Sequence, residues 1–308
     1  MLNLLLQSGV PPAIGLTLLA MAGPSAAQTS RTPTDPVTSD PTHFDSDYPP
    51  AAAELAFQSG GSRLNGFLYL AAGRGPHATV LLLHGFPGNE RNGDLAQTLR
   101  RAGMNVLLFD YRGNWGSGGT FSFGHALEDV TSAIEFVRSD SSRSAFRADP
   151  GRIILAGHSM GGWLALMGTA ADSSVSCAVA LDFWNTGYDG LQMRTDRERD
   201  SSLKAYVALQ AAPGGPIRPA SVGSLMDELK GHGDRWNPER AAAALGSRPL
   251  LIVSTTENRA HPRLVSALRA AHAHQLEAVQ WKTDHSFSDR RVQLARTMAN
   301  WLRHRCGA

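Results

Sequence analysis

The chain has 308 residues, of which 42% are hydrophobic and 18% are charged, and its formal net charge at pH 7 is +2. This composition is typical of a globular protein and excludes a fibrous or wholly disordered chain. The basic residues form no long run: the pairs Arg100–Arg101 and Arg290–Arg291 are isolated and are typical of solvated helix faces. We therefore expect no nucleic-acid partner.

The first 50 residues differ from the rest in composition. Residues 1–27 contain apolar stretches and end in Pro24-Ser25-Ala26-Ala27, whose small residues suit cleavage by signal peptidase before Gln28. They predict a signal peptide and a secreted or periplasmic protein, although the stretch has no basic start. A disordered extension, a misplaced start codon and a retained membrane anchor are the alternatives; Pro and Gly interrupt the stretch, so no stable membrane insertion is expected after processing. Residues 28–50, rich in Thr, Ser, Asp and Pro, predict a disordered linker.

From Ala51 onward, short apolar runs alternate with stretches of helical periodicity. The predicted strands are 54–58, 63–70, 79–83, 105–109, 152–156, 176–181, 249–254 and 276–281. The predicted helices are 93–102, 125–138, 160–171, 262–273 and 289–305. The first two strands are joined by Ser59-Gly60-Gly61, which predicts a hairpin turn.

This alternation predicts an α/β fold for residues 51–308. We expect a mostly parallel sheet of eight strands flanked by helices, with the opening hairpin at an antiparallel edge. Residues 183–246 carry no strand signal and are too long for a plain connection, so they predict a short cap insertion after the sixth strand. Its aromatic residues either line a pocket under the cap or anchor the cap to the sheet, and both interpretations stay open. They are Phe183, Trp184, Tyr188, Tyr206 and Trp236.

The strongest motif is Gly157-His158-Ser159-Met160-Gly161, between the fifth strand and the next helix. This strand–turn–helix context is the one that a G-x-S-x-G nucleophile elbow requires. The turn is so sharp that only glycine fits at its flanking positions. It also places Ser159 at a helix N-terminus, where the helix dipole favours negative charge. Ser159 is therefore the candidate nucleophile.

A serine hydroxyl needs a base, and His285 is the candidate. It lies between the last strand and the last helix, at the edge of the sheet where the elbow is also expected. Acyl transfer also requires two hydrogen-bond donors for the developing oxyanion. The segment His84-Gly85-Phe86, after the third strand, is typical of a loop that supplies one of them. We expect the backbone N–H groups of Phe86 and Met160 to form this oxyanion hole.

With the segment Asp110-Tyr111-Arg112-Gly113-Asn114-Trp115-Gly116-Ser117, these motifs resemble the α/β-hydrolase superfamily. The segment is similar to the D-x-R-G-x-G-x-S stretch of the esterase and peptidase-like branches. The resemblance covers about residues 52 to 305. It implies the α/β-hydrolase fold, a Ser–His–acid triad in that chain order, an oxyanion hole of backbone amides, and no cofactor. It does not fix a substrate, because this fold hosts many chemistries.

The acid of the triad is the point at which the sequence departs from the family pattern. Family members usually place an Asp a few residues after the seventh strand, a column that here falls on Asn258, with Glu257 beside it. An amide orients a histidine but stabilises an imidazolium far less than a carboxylate does. We therefore predict Glu257 as the acid. Asp182, at the end of the sixth strand, is the alternative, because some members take the acid from there.

These residues predict a hydrolase of carboxylic esters that acts through an acyl-enzyme on Ser159, with a small-molecule ester as substrate. A serine peptidase of the prolyl-oligopeptidase-like type and a non-catalytic binding protein with a degraded triad are the alternatives. No Cys/His spacing predicts a zinc site, and no metal is expected. Cys177 lies in an apolar strand, which favours a buried free thiol, while pairing with Cys306 stays open. The sequence leaves the oligomeric state open.

Overall fold

Residues 34–308 are described by the computed structural model of the chain, and they contain an eight-stranded sheet. Its strands are β1 (Ala51–Ser59), β2 (Ser62–Leu70), β3 (His77–Leu83), β4 (Asn105–Phe109), β5 (Ala148–His158), β6 (Cys177–Leu181), β7 (Leu250–Thr255) and β8 (Leu276–Trp281). Their spatial order is β1-β2-β4-β3-β5-β6-β7-β8. β1 and β2 form an antiparallel hairpin, β2 is antiparallel to β4, and the other neighbours are parallel. The predicted fold class is confirmed.

Helices cover both faces of this sheet. They are α1 (Gly93–Arg101), α2 (Phe123–Arg138), α3 (Asp140–Phe146), α4 (Met160–Ala171), α5 (Thr186–Gln192), α6 (Arg197–Gln210), α7 (Val222–His232), α8 (Ala242–Leu245), α9 (Ala260–Ala270) and α10 (Arg291–Arg305). Apolar residues of α1 and α10 pack on one face, and those of α2, α4 and α9 pack on the other. Every residue of the central strands β6 and β7 is therefore buried, which explains their continuous apolar sequences.

The insertion after β6 contains α5, α6, α7 and α8 and occupies the place of the predicted cap. Elsewhere the sequence missed one element, α3. This helix has seven residues, three of them Ser, and buries only Ser142. It begins because the Ser139 side chain accepts a hydrogen bond from the Ser142 N–H. A short polar helix of this kind shows no apolar periodicity, so the pattern could not reveal it.

The predicted signal peptide, residues 1–27, lies outside the described residues, as do residues 28–33 of the predicted linker. Residues 34–50 contact the domain, which differs from the expected disordered linker. Arg101 on α1 donates to the Pro36 carbonyl at 2.6 Å, and Arg296 on α10 donates to Asp35 at 2.8 Å. Composition could not show these partners, since they are distant in sequence. Within residues 34–308, no helix is both long and apolar enough to cross a bilayer.

Cys177 at the start of β6 and Cys306 after α10 form a disulfide, with their Cα atoms 5.9 Å apart. The favoured free thiol at Cys177 was therefore wrong. The reason is tertiary: α10 packs on the face of β6 that carries Cys177 and brings the end of the chain to the first residue of that strand. The bond links the C-terminus to the centre of the sheet.

We expect reduction of this disulfide to lower the free energy of unfolding by about 2–5 kcal/mol, because the bond closes a long loop and restricts the unfolded chain. The two cysteines are 129 residues apart. Urea unfolding of the oxidised protein with and without dithiothreitol measures the loss. Cys306→Ala serves as the control. Its stability should match that of the reduced protein and should be the same with and without dithiothreitol. Equal unfolding midpoints for oxidised and reduced protein would contradict the prediction.

Candidate active site

The register of the sheet brings the predicted motifs to one edge. Leu83 of β3 pairs with Gly157 of β5, so the loop after β3 lies beside the elbow. His158 pairs with Leu181, the last residue of β6. Ser159 and Asp182 are therefore the first residues beyond two neighbouring strands. Parallel strands end at a common edge, which explains why residues far apart in sequence meet here.

Ser159 lies in the sharp turn between β5 and α4, with a φ of 57° and a ψ of −119°. Non-glycine residues rarely adopt such a conformation, and it persists only where the surroundings enforce it. A Cβ atom at Gly161 would overlap the Leu83 carbonyl oxygen, and one at Gly157 would overlap the Gly161 carbonyl oxygen. The glycines are thus required by close backbone approach, as the motif predicted.

His285 forms its ring contact with Asp182 rather than with Glu257. The distance between His285 Nδ1 and Asp182 Oδ2 is 2.6 Å. The other oxygen of Asp182 accepts hydrogen bonds from the Thr255 N–H at 2.9 Å and from the Asn258 side chain at 3.0 Å. Asp182 is only 5% exposed, so these bonds hold the carboxylate in one orientation.

Burial alone would raise the pKa of Asp182, because it penalises the charged form. The hydrogen bonds from His285, Thr255 and Asn258 outweigh that penalty and lower the pKa below its usual value. Asp182 is therefore ionised at neutral pH. A carboxylate in this position can stabilise a positive charge on the His285 ring.

The prediction of Glu257 as the partner of His285 is corrected by this geometry. β7 ends at Thr255, and Glu257 belongs to the exposed turn before α9. Among residues 34–308, its carboxylate takes part in no hydrogen bond or ion pair. Asn258, in the column where the family usually has the acid, donates to Asp182 and to the Phe183 carbonyl oxygen, both at 3.0 Å. The amide therefore helps to hold the acid that β6 supplies.

The two predicted oxyanion donors belong to the segments on either side of the Ser159 side chain: Met160 follows it directly, and Phe86 follows Gly85, which contacts it. Met160 is the first residue of α4, so its N–H has no acceptor within the helix. The loop after β3 touches the nucleophile, since a Cβ atom at Gly85 would stand 3.0 Å from the Ser159 Cβ. The next N–H along this loop, that of Phe86, donates to no acceptor within residues 34–308.

Three side chains hold this loop from the segment that follows β4. The Tyr111 hydroxyl donates to the His84 carbonyl oxygen at 3.0 Å. The side chains of Asn114 and Trp115 both donate to the Pro87 carbonyl oxygen at 2.9 Å. The segment that resembled a family motif thus supports the loop after β3, a role that the sequence did not reveal.

His84 lies beneath the loop and is fully buried. Burial, and after it the positive charge of Arg91, lowers its pKa to about 3. Its ring is therefore neutral at neutral pH, and its Nδ1 lies 2.8 Å from the Gly85 carbonyl oxygen. These contacts indicate that His84 packs beneath the site rather than taking part in the chemistry.

A cavity of about 690 Å³ opens beside Ser159, His285 and Asp182. The insertion contributes Trp184 and Tyr188 to its lining. Trp236 instead is buried, and its carbonyl oxygen accepts a hydrogen bond from the Trp163 indole at 2.7 Å. The two interpretations of the aromatic residues therefore both apply, to different residues: some line the pocket, and Trp236 anchors the insertion.

The model of the alpha/beta hydrolase family matches residues 80–297 of the chain. This range begins in β3, ends in α10 and includes Ser159, Asp182 and His285. The chain therefore belongs to the alpha/beta hydrolase family.

Among curated proteins, the uncharacterized protein YfhR of Salmonella typhi is 33% identical over 223 residues, which are 69% of this chain and 67% of that protein. Among solved structures, a thermostable carboxyl esterase from Bacillus coagulans has a TM-score of 0.64 at 14% identity, covering 83% of this chain and 99% of its own. The acylaminoacyl peptidase of Pyrococcus horikoshii has a TM-score of 0.59 at 16% identity, covering 84% of this chain and 42% of its own. At these identities the likeness to the solved structures concerns the fold.

We expect the protein to lose stability as the pH falls from 7 to 5. Burial lowers the pKa of His84 to about 3 and that of His158 to about 4, while the same residues titrate near 6.5 in the unfolded chain. Between these pH values the unfolded state therefore binds protons that the native state does not bind. The free energy of unfolding then falls by up to about 1.4 kcal/mol per pH unit for each histidine.

Urea unfolding at pH 7, 6 and 5 measures this slope. His158→Gln is the control. It removes one of the two buried histidines, so the slope of the free energy of unfolding against pH should fall by the contribution of about one bound proton. A free energy of unfolding that stays constant or increases towards pH 5 would contradict the prediction.

Proposed function

We propose that the protein hydrolyses carboxylic esters through an acyl-enzyme on Ser159, with His285 as the base and Asp182 as the acid. The observation that carries the proposal is the hydrogen-bonded pair of Asp182 and His285, which lines the same cavity as the strained Ser159. Acyl transfer by a serine enzyme uses a nucleophile, a base and an acid, and these three side chains supply the corresponding groups.

The mechanism follows from these positions. Ser159 Oγ attacks the ester carbonyl carbon while His285 Nε2 takes the hydroxyl proton. Asp182 accepts from the Nδ1–H of His285 and stabilises the imidazolium that forms. The N–H groups of Met160 and Phe86 donate to the oxyanion. The tetrahedral intermediate expels the alcohol, which receives the proton from His285, and a water molecule activated by the same ring then releases the acid.

Export to a secreted or periplasmic location is part of the proposal. Disulfides persist in oxidising compartments and are rare in the cytosol of most cells. The Cys177–Cys306 bond therefore supports the localisation that the N-terminal residues predict. A small-molecule ester as substrate fits the size of the cavity beside Ser159.

We expect hydrolysis of p-nitrophenyl esters, tested from acetate to palmitate, and labelling of Ser159 by a fluorophosphonate. Ser159→Ala should lower kcat by a factor on the order of 10⁵–10⁶ and abolish labelling, because the nucleophile is lost. Ser202→Ala, which changes an exposed serine on α6, is the matched control and should leave both unchanged. Labelling without hydrolysis of any ester would favour the peptidase alternative, and neither activity would favour the non-catalytic one.

We expect Asp182→Asn to lower kcat at pH 7 by about 10³–10⁴-fold, because an amide cannot stabilise the charged imidazole and favours the wrong tautomer of His285. Glu257→Gln should change kcat by less than about 3-fold, since its exposed carboxylate does not contact His285. Steady-state kinetics of the two variants, with folding checked by circular dichroism, make the comparison. A larger loss in Glu257→Gln than in Asp182→Asn would overturn the assignment of the acid.

A further inference from the structure

His158 contacts the main chain of the proposed base. It is the last residue of β5 and precedes Ser159 directly. Its Nε2 lies 2.7 Å from the carbonyl oxygen of His285, and the two imidazole rings have their centroids 4.5 Å apart. Only 5% of His158 is exposed. A buried side chain of the elbow strand thus contacts the loop that carries the base.

This contact matters because little else restrains His285. Its side chain is 57% exposed, and within the described residues the ring's hydrogen bond is the one to Asp182. A bond at Nδ1 fixes that nitrogen, but it does not fix the Cα atom from which the ring extends. The bond to the His285 carbonyl oxygen restrains the main chain at that residue. Phe287, fully buried two residues later, fixes the other end of the loop.

The protonation state of His158 suits this role. Burial, and after it the charge of a protonated His285, lowers its pKa to about 4. At neutral pH the ring therefore carries one proton, and that proton must be on Nε2, since a carbonyl oxygen can only accept. A neutral neighbour also adds no repulsion when His285 becomes positively charged during the reaction.

We propose that His158 is a positioning residue, which donates a hydrogen bond to the His285 carbonyl oxygen and thereby sets the base ring against Ser159. The nucleophile and the base are then held by adjacent residues of one strand end, so that movement of the loop is coupled to the elbow. This inference rests on the proposed function, because it assigns to His158 an effect on the base of that reaction.

The test separates the N–H donor from the bulk of the ring. In His158→Gln the amide nitrogen stands the same number of bonds from Cβ as Nε2 does, so it can still donate to the carbonyl oxygen. His158→Met has similar length and no N–H. We expect His158→Met to lower kcat on the best p-nitrophenyl ester by about 10–100-fold with KM within about 2-fold, because a misplaced base affects the transition state more than binding. His158→Gln should retain kcat within about 3-fold.

His77→Met is the matched control. His77 also bonds main-chain carbonyl oxygens, those of Gly103 and Gly73 at 3.1 and 3.0 Å, but it lies at the start of β3, away from the site. It should leave kcat unchanged even where it lowers the melting temperature. Equal losses in His158→Gln and His158→Met, a loss confined to KM, or wild-type kcat in His158→Met would each overturn the proposal. If the proposed function is wrong, the wild-type protein shows no ester hydrolysis that is lost in Ser159→Ala. That result is distinct from a failure of the His158 proposal, in which the wild type is active.

Discussion

The close approach of backbone at the elbow is the constraint on which the rest of the site depends. Gly161 lies against the Leu83 carbonyl oxygen, and Ser159, two residues earlier in the same turn, has a φ of 57°. Such strain persists only because the ends of β3, β5 and β6 are fixed around it. The Ser159 N–H donates to the Leu181 carbonyl oxygen at 2.9 Å, and the Asp182 N–H donates to the Val253 carbonyl oxygen at 2.7 Å. The strand ends are thus linked one to the next across the sheet.

The electrostatics of the site follow from that arrangement. One buried carboxylate, Asp182, is kept ionised by several donors, and the nearby histidines His84 and His158 are kept neutral by burial. Asp182 therefore places a fixed negative charge against the His285 ring, which is expected to become positive. A charged histidine at either buried position would compete with His285 for stabilisation. Burial of the two histidines therefore lowers stability in acid and keeps both rings neutral at neutral pH.

The position of Asp182 shows how tertiary contacts decide which acidic side chain meets His285. Asn258 stands in the column where the family usually has its Asp, yet it contacts the same carboxylate that His285 does. β6 and β7 are neighbours, so an acid at the end of either strand reaches the same place. Because the carboxylate here follows β6, the residue after β7, Asn258, can donate a hydrogen bond to it. An amide there donates a hydrogen bond, whereas a second carboxylate would repel the first.

The sequence by itself determined the order of the strands along the chain and the elbow, and it singled out His285 and the expected oxyanion donors as candidates. Each of these depends on a local pattern: an apolar run, a pair of glycines, or a residue just after a strand. It did not determine which acid meets His285, whether Cys177 pairs with Cys306, or that Arg101 and Arg296 contact residues 34–50. Each of these contacts joins residues at least 60 positions apart, so no local pattern contains it. Only the register of the sheet and the packing of α10 decide such distances. Asp182 and Glu257 were equally acidic in the sequence, and the difference between them, one buried among donors and one exposed to solvent, exists only in the folded protein.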